Sequence, residues 1–214
     1  MRRLALLLGV LAVAACQHGG SLPAAKNALP DSAFVLPGAF SEQTTVADLQ
    51  AQFGASNVKI GALPDGSDSG AVLFPDDPTR RAYVRFYDDA PLDHLASVTV
   101  NDPESRWTGK LGVKVGTTFA ELRQRNGGKF WFAGFNARHE GNVRDKWNAG
   151  ALDVAGSDAL YFGVDLRLRD ATPAGAYPSD DEQEVSSDDP RYPKLDEFVV
   201  VSAITAWSSL DDEW

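Results

Sequence analysis

The chain has 214 residues, 43% of them hydrophobic, so it can bury one sizeable core or two small fused cores and is not a disordered chain. Its 20 basic and 30 acidic residues give a formal net charge of −10. This charge repels nucleic-acid phosphates and anionic lipid headgroups, which argues against nucleic acid as a partner.

Residues 1–15 have the features of an export signal peptide. Two arginines precede an apolar run that is too short for a lasting membrane span. The run ends in VAAC, at Cys16, which resembles the lipobox of bacterial lipoproteins, where cleavage leaves the cysteine as an acylated N-terminus. The resemblance implies a palmitate-bearing lipoprotein anchored at Cys16. The alternative is an ordinary secretory signal with an accidental cysteine.

Cys16 is the only cysteine of the chain, which excludes a disulfide and a thiolate metal cluster in the exported protein. Its acyl chains would supply about 0.8 kcal/mol of anchoring free energy per buried CH₂. Gln17 follows it, whereas in lipoproteins of enteric type an aspartate there favours the inner membrane. We therefore expect a lipid anchor in the bacterial envelope, in the outer rather than the inner membrane.

Residues 16–40 are predicted to form a lipidated flexible tether. The segment contains three prolines and shows neither the period of two of a strand nor the period of 3.6 of a helix. A globular domain is then predicted for residues 41–214.

Two stretches of this domain, 73 positions apart, resemble each other. TTVADLQAQFG at 44–54 and TTFAELRQRNG at 117–127 share five of eleven residues. Each has a threonine followed three residues later by an acid, which is the pattern of a capping box at a helix start. Each ends in glycine, the residue that favours a left-handed helix end. The stretches predict two short helices, capped by Thr45 with Asp48 and by Thr118 with Glu121.

Apolar and β-branched runs follow each predicted helix, separated by Gly, Pro and Asp clusters. They predict three or four antiparallel strands in each half. Alternation over 83–87 and 164–168 indicates strands with one wet face. The predicted fold class is therefore α+β, with two tandem helix-plus-meander units, about 41–105 and 106–214, packed as one body. Coincidence among common capping residues is the alternative explanation of the repeat.

This arrangement resembles the superfamily of beta-lactamase inhibitor proteins and the small outer-membrane-assembly lipoproteins of the SmpA/OmlA type. The resemblance covers residues 42–207 and depends on the threonine-capped helix ending in Gly and on the strand count. The run GVKVGTTFAELRQRNGGKFWFAGF also resembles a group of uncharacterised bacterial lipoproteins. These resemblances imply a shared scaffold, and no functional residue is carried over from them.

Catalytic signatures are mostly absent. The sequence has no GxSxG, P-loop, dinucleotide fingerprint or HExxH motif. Asn126-Gly127-Gly128-Lys129 fits a helix stop better than a phosphate loop, and His139 has no second histidine for a metal. The acidic stretch 179–189 lacks the ligand spacing of a calcium loop and is predicted to be a solvated hairpin excursion. The sequence therefore predicts no catalytic residue, no cofactor and no metal site.

An aromatic-rich segment, residues 107–147, is the most promising sign of a binding surface. On a strand, neighbouring aromatic residues point to opposite faces, so one face could remain exposed. Exposed Trp and Arg are common in binding hot spots, and Trp also suits sugars. The alternative is that these rings only fill the core. The predicted partner-binding residues are Arg106, Trp107, Trp131, Arg138 and Trp147.

These features predict a lipid-anchored binding or accessory module of the envelope, facing the periplasm or the surface, rather than an enzyme. Its partner would be an envelope protein or a cell-wall glycan. The alternatives are an envelope hydrolase that acts on glycan or peptide through carboxylates and His139, and a spacer without a ligand.

Overall fold

A computed structural model places the folded part of the chain. The predicted signal peptide, the predicted lipidation site Cys16 and His139 lie outside the residues that it describes. No helix within the described part has the length and apolar composition needed to cross a membrane. The described residues are 29–67, 70–88, 90–138, 140–144, 146–153, 160–169 and 172–208.

The described residues form both helices and a mostly antiparallel sheet, which confirms the α+β class. The helices are α1 (Val46–Phe53), α2 (Phe119–Asn126) and the short α3 (Leu195–Phe198). Single 3-10 turns occur at Asp31–Ala33, Ala55–Asn57 and Lys110–Gly112.

One seven-stranded sheet runs through the described part of the chain. Its order is β1-β2-β3-β4-β9-β7-β6, and every pairing in it is antiparallel. A two-stranded sheet pairs β5 with β8. The strands are β1 (Val58–Gly61), β2 (Gly70–Leu73), β3 (Ala82–Phe86), β4 (Leu95–Val100), β5 (Trp131–Phe132), β6 (Glu140–Val143), β7 (Tyr161–Leu168), β8 (Val185–Ser186) and β9 (Val199–Trp207).

Both predicted capping boxes are present. The Thr45 hydroxyl accepts from the Asp48 amide at 3.2 Å, and the Thr118 hydroxyl accepts from the Glu121 amide at 3.3 Å. Each acid in turn accepts from the threonine amide. These hydrogen bonds hold the pKa of the Asp48 and Glu121 carboxyls below their usual range. Two otherwise unpaired amides are thereby satisfied at each helix start.

The two helices end differently. Gly127 adopts the expected left-handed conformation, with φ 77° and ψ 9°. Gly54 has φ 90° and ψ 132°, which is not left-handed helical, because the chain turns directly into the 3-10 turn Ala55–Asn57 that leads to β1.

Both helices pack on the same face of the sheet, and this contact forms the core. Leu49 and Phe53 of α1 and Phe119 and Leu122 of α2 are buried in one cluster with that face. The strand residues of this cluster come from both ends of the sheet and include Val84, Val98, Ile204, Val164 and Val143. The opposite face carries no helix among the described elements.

The predicted tether ends earlier than residue 40. Phe34 and Leu36 are almost fully buried and Phe40 is 6% exposed, all within the core cluster. Leu36 donates its amide to the Thr108 carbonyl at 2.8 Å. The segment has no helix or strand periodicity in the sequence because its prolines interrupt both. Its apolar side chains nevertheless pack into the core from an irregular backbone.

The acidic excursion is folded rather than solvated throughout. Its strand β8 pairs with β5, the Gly134 amide donates to the Glu182 carbonyl at 2.9 Å, and the Phe135 amide donates to the carbonyl of Pro178, just before the excursion, at 2.9 Å. Arg191 offsets part of its negative charge, because its guanidinium lies 2.7 Å from both Glu182 and Asp189.

Strand β6 lies in a polar, glycine-containing stretch that lacks the alternation seen in β3 and β7. Glu140–Val143 has low β propensity but pairs residue for residue with β7, from Glu140 opposite Arg167 to Val143 opposite Val164. A side chain at Gly141 would lie 2.6 Å from the Ala133 carbonyl oxygen. Tertiary pairing and this close approach, rather than residue preference, therefore determine the strand.

Candidate functional site: the polar face of the sheet

Two of the predicted partner-binding residues are core residues. Trp107 is fully buried, meets Phe34 edge-to-face at 5.2 Å, and donates its indole N–H to the Arg80 carbonyl at 2.7 Å. Trp147 is 1% exposed and donates to the Phe162 carbonyl at 2.7 Å. Their placement corrects the expectation that these indoles lie on a surface. The indole N–H groups find backbone acceptors inside the protein, which removes the cost of burying them.

The other three predicted residues reach the surface with different neighbours. Arg106 pairs with Asp31 and lies over the Phe34 ring at 4.6 Å. Trp131 is partly buried, with the Lys129 ammonium 5.4 Å from its ring centre. Arg138 is exposed in the turn before β6. These contacts do not gather the three side chains into one aromatic surface.

The sheet face that carries no helix is the more site-like surface. In an antiparallel sheet, residues directly opposite each other share a face. Tyr83, Thr99, Thr205 and Gly163 lie opposite one another on β3, β4, β9 and β7. The Thr99 and Thr205 hydroxyls are hydrogen bonded at 3.2 Å. Polar residues from both halves of the chain therefore meet in the middle of this face.

Two cavities, of about 410 and 580 Å³, open on this face. Asn101 and Asp165 line both of them, so the cavities adjoin and form one groove, here called the polar groove. Each volume is within the usual range of small-ligand pockets. The first cavity is bounded by the turn that contains Leu63 and Pro64, and the second by Pro103 and Val115.

Asp165 lies at the junction of the two cavities, on strand β7. Burial raises the pKa of its carboxyl, with a smaller rise from Glu140 and an opposing effect of Arg144. The nearest cationic nitrogen, on Arg144, lies 4.0 Å away, which is beyond hydrogen-bond distance. Among the residues that the structure describes, none donates a hydrogen bond to this carboxylate.

An aromatic stack lies beside the groove. Tyr161 and Trp207 face each other across β7 and β9 with ring centres 5.9 Å apart, and the Arg144 guanidinium lies 5.7 Å from the Trp207 ring centre. A side chain at Gly163 would lie 2.6 Å from the Trp207 ring. Glycine therefore leaves the space that the indole occupies. These contacts hold Arg144, a groove-lining residue, over the stack.

The sequence indicates the wet faces of β3 and β7 but not the groove. The alternation in 83–87 and 164–168 places Tyr83, Arg85, Asp165 and Arg167 on a polar face. Nothing in that pattern shows that the two strands share a sheet, because β4 and β9 join them across more than one hundred positions of sequence. The sequence alone therefore does not distinguish Asp165 from the other polar residues of these strands.

One group of possible metal ligands lies away from the groove, in the loop between β3 and β4. Asp88, Asp93 and His94 each place one ligand atom within 4.8 Å of the others. Their side chains are 60%, 38% and 58% exposed, and His94 lies 3.0 Å from Asp93. Exposed groups of this kind are common without an ion, so we assign no metal role to them.

Asp165→Asn is expected to stabilise the folded protein at neutral pH. A raised folded-state pKa means that the native protein retains this proton at a pH where the unfolded chain has lost it, so stability falls as pH rises through that interval. The amide carries no charge and avoids this loss, of about 1 kcal/mol for a carboxylate that keeps some solvent contact.

Thermal unfolding between pH 3 and pH 8 measures this effect. Asp165→Asn should melt higher than the unsubstituted protein at pH 7 and approach it at pH 3. Asp76→Asn, which removes an exposed carboxylate from the β2–β3 turn, is the matched control for the loss of one negative charge. A lower melting temperature of Asp165→Asn at pH 7 would contradict a carboxylate held at a cost to stability.

Comparison of the chain with protein-family models, with curated proteins and with solved structures gives no match.

Proposed function

We propose that this protein is a lipid-anchored binding module of the bacterial envelope whose ligand lies in the polar groove. The observation that carries the proposal is Asp165, a partly buried carboxylate at the junction of two adjoining cavities without a hydrogen-bond donor among the described residues. Its side chain is 37% exposed, so water satisfies it in the free protein, and a ligand that displaces this water has to replace the lost hydrogen bonds. A ligand that supplies the donor would explain why the chain carries it there.

The proposal includes a duplicated scaffold. The starts of α1 and α2 are 73 positions apart, and so are the starts of β1 and β5. The last strands of the two halves, β4 and β9, pair with each other. Joining two units along these strands covers an edge that each would otherwise expose, and places the groove across the seam. Membership of the inhibitor-protein and SmpA/OmlA-type superfamily stays a prediction.

The anchor and location in this proposal come from the sequence alone. The lipobox-like VAAC would make Cys16 the acylated N-terminus, and the segment up to about residue 28 would link it to the folded part. The groove would then face the periplasm or the cell surface, with the outer membrane favoured.

A second candidate function is an envelope hydrolase, which one observation supports. A carboxyl whose pKa is raised by burial, with a second carboxyl near it, is a common general-acid arrangement. Asp165 and Glu140 provide such a pair in the groove. This candidate differs from a binding module in one outcome, because the ligand would be cleaved.

In vivo photo-crosslinking tests the binding module. A benzoylphenylalanine probe at Tyr83, an aromatic residue of the groove, is expected to capture a single envelope component, either a protein or a glycan. The same probe at Trp131, which does not line the groove, is the matched aromatic control. Cys16→Ser, which removes the acyl acceptor, should reduce capture at Tyr83 because the protein is no longer held at the membrane.

Capture from Tyr83 but not from Trp131 would support the groove. Capture from Trp131 alone would instead support the aromatic segment as the binding surface and would overturn the groove. Silence at both positions, from a folded and lipidated protein, would argue against any binding module of this kind.

A further inference from the structure

Resting on the proposed function, we infer that the ligand of the polar groove is an uncharged glycan chain, whose hydroxyl groups donate hydrogen bonds to Asp165. Three features of the groove support this ligand: the Asp165 carboxylate, which accepts no hydrogen bond from a described residue, the balance of charges around it, and the hydroxyl-rich floor.

The hydrogen-bonding capacity of the Asp165 carboxylate restricts the chemistry of the ligand. An ionised carboxylate can only accept hydrogen bonds, and its two oxygens can take several. Arg144 is too far away to donate, and no other described residue does so. A ligand that displaces water from this partly exposed carboxylate would therefore have to bring donors, which a sugar hydroxyl, an amide or an ammonium group could do.

Charged side chains of both signs line the groove. Three guanidinium groups, of Arg85, Arg144 and Arg167, are balanced by the carboxylates of Asp65, Asp165 and Glu140. Counted over its described lining residues, the groove is thus formally neutral in a chain whose formal charge is −10. A cationic ligand would meet the arginines and an anionic ligand the carboxylates, so complementarity favours a ligand without net charge.

Most of the remaining polar lining residues carry hydroxyl or amide groups. Hydroxyl and amide side chains can both donate and accept hydrogen bonds, as sugar hydroxyls also do. Tyr83 adds an aromatic ring of the kind that packs against a sugar face. The groove-lining residues with hydroxyl or amide groups are Tyr83, Ser97, Thr99, Asn101, Asn136, Asn142, Ser202 and Thr205.

The length of the groove also suits a chain rather than a single sugar. Its lining residues come from β3, β4, β9, β7 and β6, which are successive strands of the sheet. At about 4.8 Å per strand spacing, these five strands span roughly 19 Å. A short oligosaccharide lying across the strands would contact both cavities and pass over Asp165.

Calorimetric titration of the lipidated full-length protein in detergent tests this inference. The probes are the tetramer of N-acetylglucosamine and cellotetraose as neutral glycans, with tetralysine and tetra-aspartate as charged chains of similar size. We expect at least one neutral tetramer to bind and both charged peptides to bind more weakly.

Asp165→Ala should weaken binding of the neutral tetramer at least tenfold, and Asp165→Asn should weaken it less because the amide oxygen still accepts. Asp76→Asn, outside the groove, should bind as the unsubstituted protein does. The melting temperature separates this loss from unfolding, because Asp165→Asn is expected to fold at least as stably as the unsubstituted protein.

Undiminished binding by Asp165→Ala would overturn the inference, because the glycan would then bind elsewhere. Capture of a protein from Tyr83, with neither tetramer bound, would also overturn it while leaving the binding module intact. Failure of both assays would overturn both proposals. Cleavage of a bound tetramer would support a glycan in the groove and identify the protein as the envelope hydrolase.

Discussion

Trp107→Ala is expected to lower the free energy of unfolding by about 3–5 kcal/mol, the usual cost of removing a large aromatic side chain from a core. The indole has no solvent-exposed surface and contacts Phe34, Phe40 and Phe53 within ring-centre distances of 5.2 to 6.1 Å. Its removal leaves a cavity among rings that the backbone holds apart. It also leaves the Arg80 carbonyl without the indole donor.

Trp131→Ala provides the matched control. The same atoms are removed, but this indole is only partly buried and its cation–π partner Lys129 is on the surface. Its loss should cost about 1 kcal/mol or less. Urea unfolding of both variants, fitted with one shared m value, measures the difference in their free energies of unfolding. Equal losses for the two variants would mean that Trp107 is not the core residue of this structure.

Long-range packing explains why two of the predicted binding residues are buried. A run of aromatic residues reveals which side chains are large, but burial depends on neighbours that are distant in the chain. Phe34, from the predicted tether, covers Trp107, and Phe162, from β7, covers Trp147. Neither contact leaves a local pattern.

The features predicted correctly depend on local chemistry. A capping box needs only a threonine and an acid three residues apart, and both predicted boxes form. Alternation correctly indicated one wet face on β3 and on β7, since strand periodicity is also local. The order of the strands, which brings these faces into one groove, depends on the pairing of β4 with β9 and could not be read from either half.

A polar residue inside the core gives the second large effect. Asn126, the last residue of α2, is 1% exposed, and its side-chain nitrogen donates to the Trp147 carbonyl at 2.9 Å. It also donates to the Gly128 and Lys129 carbonyls at 3.3 Å, and its oxygen accepts from the Leu152 amide at 3.2 Å. One side chain thus joins the end of α2 to the loop after β6.

Asn126→Asp is therefore expected to cost about 3 kcal/mol at neutral pH, because an oxygen replaces the nitrogen that faces three carbonyl oxygens and a buried charge is added. Burial would raise the pKa of the new carboxyl above its unfolded value. The variant should then lose stability as pH rises and recover part of it in acid, where a protonated carboxyl can donate one hydrogen bond.

Asn148→Asp adds the same charge two residues before Gly150, at an exposed position with φ 57° that aspartate also tolerates. Urea unfolding at pH 4 and pH 7 should therefore separate the two variants, with a large and pH-dependent loss only at Asn126. If Asn126→Asp unfolded like Asn148→Asp at both pH values, this side chain would not join the end of α2 to the loop. The packing around Gly150 favours a large loss for Asn126→Asp, because a side chain at Gly150 would lie 2.2 Å from the Asn126 oxygen. Glycine at position 150 therefore leaves the space that the Asn126 amide group occupies.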